Sequence, residues 1–99
     1  MSVIEGVLRE EKERNLMMQE MYREEISRLP KGSISERKLA SGSYYYLSFR
    51  EGARVVHKYV GKNKEDADKV QKDLDKRKHF QGLLKELKAE LKMIERTIK

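Results

Sequence analysis

The stretch Tyr44-Tyr-Tyr-Leu-Ser-Phe-Arg50 is the strongest β-strand in the chain, and it sets the fold class. Aromatic residues suit a pleated, half-buried surface, and strand alternation separates this stretch into two faces. Tyr45, Leu47 and Phe49 fall on one side, apolar enough to cover a core. Tyr44, Tyr46, Ser48 and Arg50 fall on the other, which mixes rings with a cation. Turn sequences bound the strand, with Ala40-Ser-Gly-Ser43 before it and Glu51-Gly-Ala53 after it. Beyond those turns lie a weaker strand at residues 33–39 and a third at residues 54–60. The three together predict an antiparallel meander with short loops. The register of the second hairpin stays open, because a two-residue and a three-residue turn at Glu51-Gly-Ala53 place different third-strand residues on each face.

Helices flank this sheet on both sides. Residues 2–28 carry Ile4, Leu8, Met18, Tyr22 and Ile26 close to one face, interrupted by Glu11 and Asn15. Ser2 with Glu5 three residues on fits a capping box, and Pro30 ends the helix because it lacks an amide hydrogen and pushes Leu29 out of the α region. Leu16-Met-Met and Met21-Tyr22 are expected to be core. A second helix begins after Asn63, a good N-cap, with Glu65, Asp66 and Asp68 where the helix dipole favours negative charge. It contains no proline and runs to the end of the chain. Leu84, Leu87, Leu91, Ile94 and Ile98 follow the 3-4 spacing of a coiled-coil seam. The seam extends beyond what one small sheet can cover, so these five residues are expected to form a homodimer interface. The predicted fold is therefore α+β, a single domain over residues 1–99. It comprises a helix (1–30), a basic β-meander (31–62) and a long helix (63–99) with coiled-coil-like packing.

Of 99 residues, 40% are charged and 37% hydrophobic, which calls for an elongated shape or a partner that covers some surface. The net charge of +6 is concentrated in the meander, where residues 31–62 hold seven Lys/Arg against two Asp/Glu. That density can act on a partner as a local field. There is no cysteine, which excludes disulfides, thiolate metal sites and a cysteine nucleophile. Neither a signal-peptide pattern nor a run of about 20 apolar residues occurs, so the expected location is cytoplasmic, away from membranes.

Catalysis finds no foothold. His57 and His79 lie in different elements, the serines cluster in turns, and phosphate loops, paired-histidine zinc motifs and nucleophile elbows are all missing. The expectation is a non-enzymatic binding protein with no metal and no cofactor. Its candidate binding residues are Arg37, Lys38, Tyr44, Tyr46, Arg50, Arg54, Lys58 and Lys62. Cations at those positions would neutralise phosphates, and tyrosines would stack on bases or donate a hydroxyl. The plain alternative is a solvated sheet face whose tyrosines serve strand propensity.

Leu29-Pro-Lys-Gly-Ser-Ile, Tyr44-Tyr-Tyr-Leu, Phe49-Arg-Glu-Gly and Lys58-Tyr-Val-Gly-Lys, followed by a long charged helix, resemble a family of small uncharacterised bacterial and phage proteins. The likeness spans residues 29–99 and implies no known activity. The strand-strand-strand-helix order also resembles the arm-type DNA-binding domain of tyrosine integrases. That likeness implies a sheet that reads DNA and a helix that supports it from behind. The expected function is thus an accessory or regulatory nucleic-acid-binding protein of a phage or mobile element, with DNA ahead of RNA. The alternative is a small anti-CRISPR-like inhibitor that competes for the guide-RNA or DNA site of a nucleic-acid-processing effector.

Overall fold

The computed structural model describes residues 2–98, in the order α1 (Val3–Arg28), β1 (Ser33–Leu39), β2 (Gly42–Glu51), β3 (Arg54–Gly61) and α2 (Lys64–Ile98). The class is α+β, with one antiparallel sheet in the order β1-β2-β3. The start of α1 follows its local chemistry, with the Glu5 amide donating to the Ser2 hydroxyl oxygen at 3.1 Å. At the start of α2 the amides of Asp66 and Ala67 donate to the backbone carbonyl of Asn63. Where the sequence reads as one domain, the described residues gather into two compact units. One combines residues 2–28 with 79–98, the other is Leu29–Lys78, and α2 contributes to both.

In the helical unit, α1 and the second part of α2 run antiparallel. Lys12 reaches Glu95 at 3.9 Å, Asn15 donates to the Leu87 carbonyl, and the rings of Tyr22 and Phe80 lie 5.5 Å apart. Rising numbers on α1 therefore meet falling numbers on α2. Of the seam expected to serve a second copy, Ile94 is buried within the chain and Leu84, Leu87, Leu91 and Ile98 are half-buried. The methionine cluster divides. Met18 and Tyr22 are half-buried, whereas Met17 and Met21 are 68% and 61% exposed and are not core. At 100° per residue, the neighbours of a seam position point away from it.

Asn15, which interrupts the apolar stripe of α1, and Gln19 one turn on are its two buried residues, each only 2% exposed. Their side chains form a directed chain of hydrogen bonds. Arg23 donates to the Gln19 Oε1 at 3.0 Å, Gln19 Nε2 donates to Asn15 Oδ1 at 2.7 Å, and Asn15 Nδ2 donates to the Leu87 carbonyl at 2.9 Å. Burial of these amides is tolerated because each finds partners.

In the sheet unit, the buried apolar residues are Leu47 of β2 with Ala67 and Leu74 of α2. Ala67 and Leu74 are seven residues apart and so lie on one helix face, the face that covers the sheet. Ile34, Tyr45, Phe49 and Val56, half-buried, share the Leu47 side of the sheet by register. The entry to β1 is tight. Gly32 has φ of +119°, and a Cβ there would run into the Ser48 carbonyl oxygen. The Arg77 guanidinium donates to the Leu29 carbonyl at 3.0 Å, supplying a partner just after the end of α1 where the helix ladder has none.

Candidate nucleic-acid interface

Two local features determine which side chains share the outer face of the sheet. The β2–β3 turn holds two residues, Gly52 and Ala53, between the paired Glu51 and Arg54. Gly52 has φ of +64° and Ala53 a negative φ, the pattern of a II′ hairpin turn with glycine first. Further along, Tyr46 pairs with Tyr59 but Tyr45 pairs with Gly61, so Val60 is an extra residue in a bulge. The turn sets Val55, His57 and Tyr59 beside Arg50, Ser48 and Tyr46, and the bulge ends that alternation next to Tyr44.

The result is a continuous outer face. Across its ladder, Arg37 pairs with Tyr44, Ser35 with Tyr46 and Ser33 with Ser48, while Tyr59, His57 and Val55 complete the rows on the other edge. The Tyr46 and Tyr59 rings meet edge-on at 5.6 Å, and the Tyr44 and Tyr59 rings lie 6.4 Å apart. Two cations sit on this cluster. The Arg37 guanidinium carbon lies 5.4 Å from the centroid of Tyr46, and Lys62 Nζ lies 5.4 Å from that of Tyr44. Such contacts hold a cation near a ring without neutralising it. The Tyr44 hydroxyl is 2.8 Å from Ser41 Oγ, and Ser48 Oγ is 2.7 Å from His57 Nδ1.

No Asp or Glu stands on this face of the sheet, since Glu36 and Glu51 pair with Tyr45 and Arg54 on the opposite side. Of the eight residues the sequence singled out, Arg37, Tyr44, Tyr46, Arg50 and Lys62 belong to the outer face or reach its rings. Lys38, Arg54 and Lys58 do not. By register they lie opposite Ser43, Glu51 and Leu47, on the side that carries the core, and they remain exposed there. Tyr59, more than half exposed, is the principal residue that sequence reasoning left out. The signal for it was the Gly at the first turn position, which selects the two-residue loop and hence the register.

The Ser48–His57 pair is exposed and has no carboxylate on its face to orient the imidazole, so it lacks the third member of a nucleophilic triad. Among the described residues, no group of three or more His, Cys, Asp or Glu is placed to hold a metal ion. Nor is any helix among them long and apolar enough to cross a membrane.

No curated protein and no solved structure matches the chain. A family model does, over residues 4–72, which takes in α1, the whole sheet with its tyrosine face, and the start of α2. The chain belongs to the family described as the domain of unknown function DUF6788.

Proposed function

We propose that this chain is a non-enzymatic nucleic-acid-binding module and that the outer sheet face is its binding surface. One observation carries the reading, namely that three clustered tyrosines and the cations Arg37, Arg50 and Lys62 share a face free of carboxylates. A polyanion is the ligand such a face would hold best. Phosphates would meet the cations, and tyrosine hydroxyls and rings would meet sugar, backbone or unstacked bases. A three-stranded sheet presenting one face is also a geometry that can enter a DNA groove. DNA remains ahead of RNA, in an accessory or regulatory protein of phage or mobile-element origin working in the cytoplasm.

The test is binding across a salt series, with duplex DNA, single-stranded DNA and RNA as separate probes. Affinity for at least one should fall linearly in log salt, with a slope close to 0.9 per phosphate contact on duplex, as a rough guide. Arg37→Glu with Arg50→Glu should weaken binding at least about tenfold and flatten the slope by about one unit per lost contact. Absence of binding to all three probes at low salt, by folded protein, would refute the reading.

A second reading rests on Leu39, Val55 and Tyr59, all more than half exposed and all on this same face. Exposed apolar residues among Tyr and Arg are also the composition of a protein-binding hot spot. In that case the chain is an inhibitor of a nucleic-acid-processing effector and competes for its guide-RNA or DNA site. Association with such an effector would change little with salt.

A further inference from the structure

The two helices of the helical unit carry outward faces of opposite charge. On α1, the positions turned away from Asn15 and Gln19 include Glu10, Glu13, Met17, Glu20 and Glu24, spaced 3-4-3-4. On α2, the positions turned away from Ile94 form a shallow surface lined by Lys85, Lys88, Ala89, Lys92, Met93 and Arg96. Met17 and Met93 are each 68% exposed, so both faces have an apolar centre in solvent. The four cations make no ion pair, and Glu10 and Glu13 make none either, among the described residues. Residues of opposite sign lie only at the edges of each face, Arg9 and Arg14 on α1 and Glu86 and Glu95 on α2.

We infer that the α1 face docks on the α2 face of a second copy of this chain. The charges match with the helices in either direction. With the two helices antiparallel, Glu10 meets Arg96, Glu13 meets Lys92, Met17 meets Ala89 and Glu20 meets Lys85. With them parallel, Glu10 meets Lys85, Glu13 meets Lys88, Met17 meets Met93 and Glu20 meets Arg96. The faces also match in extent, about 21 Å from Glu10 to Glu24 and about 17 Å from Lys85 to Arg96 at 1.5 Å per residue. An anionic partner of another kind would account for the basic face and leave the acidic, methionine-centred one unexplained. A second copy accounts for both. Each copy offers one face of each kind, so the contact is heterologous and grows head to tail, into a closed ring or an open filament.

Sedimentation of the full chain, free of nucleic acid, tests this with two charge-reversed variants at exposed positions. Wild-type protein should gain mass with concentration at low ionic strength and lose it as salt is added. Glu10→Lys with Glu13→Lys, and separately Lys92→Glu with Arg96→Glu, should each weaken association at least about tenfold. Mixed in equal amounts, the two variants should associate again, because each now supplies what the other lost. Should a reversed variant lose its helical circular dichroism, Glu10→Gln with Glu13→Gln replaces it and should weaken association in the same direction. Monomeric wild type, association indifferent to the substitutions, or a mixture that stays apart would each overturn the proposal. So would a monomer whose Lys92→Glu, Arg96→Glu variant loses duplex DNA instead, since the basic face would then serve a nucleic acid.

Discussion

Asn15 Nδ2 donates a 2.9 Å hydrogen bond to the carbonyl of Leu87, 72 residues away in the chain. It joins α1 to α2 within the helical unit and gives the buried Asn15 amide an acceptor on the facing helix. Asn15→Ala should destabilise the protein by about 1–3 kcal/mol, since Gln19 Nε2 loses its acceptor while buried. Urea unfolding measures that loss. An unchanged midpoint would mean that the Arg23-Gln19-Asn15 chain contributes nothing net.

Glycines at two places should respond with opposite sign. Gly32→Ala meets both a left-handed φ and the Ser48 carbonyl, so it should cost more than the roughly 1–2 kcal/mol of the backbone conformation alone. Gly82 lies inside α2 with nothing within 4 Å of an added Cβ. Gly82→Ala should therefore stabilise by about 0.4–1 kcal/mol. Thermal melts of the two variants should move in opposite directions.

The two faces of β2 and β3 should separate stability from binding. Leu47→Ala removes a buried side chain and should cost about 2–5 kcal/mol. Tyr59→Ala removes an exposed ring, and its effect on the melting temperature should be much smaller. Its loss should appear instead in nucleic-acid affinity, at about 1–3 kcal/mol if a base stacks there. The reverse ranking in thermal unfolding would place the core on the tyrosine side.

Cations on opposite faces give a matched control. Arg37→Glu with Arg50→Glu should lower nucleic-acid affinity, whereas Lys38→Glu with Arg54→Glu should do so only weakly through net charge. Both pairs change the charge by the same amount and all four residues are exposed, so long-range attraction is altered equally. Equal losses in the two variants, measured at one salt concentration, would show a diffuse field rather than a defined surface.

The elements of this protein were legible in its sequence, because local chemistry sets them. Pro30 stops α1, the Ser2 hydroxyl accepts an amide of its first turn, and the alternation in Tyr44–Arg50 suits a half-buried strand. The same alternation correctly grouped Tyr45, Leu47 and Phe49 around the buried Leu47. Membership of the outer face was only partly legible, since register depends on the Gly52-Ala53 turn and on the bulge at Val60, which shift β3 against β2. That is why Tyr59 joins Tyr44 and Tyr46 while Arg54 and Lys58 leave them; Lys38 leaves because the β1–β2 pairing sets it opposite Ser43. Burial of Asn15 and Gln19 was not legible at all. By composition Asn15 interrupts an apolar stripe, and only the tertiary structure provides Leu87's carbonyl as its acceptor, which completes the chain that Arg23 and Gln19 make within α1. Periodicity reports which residues can share a face, but a polar side chain can be buried only where a distant partner is brought within hydrogen-bond reach.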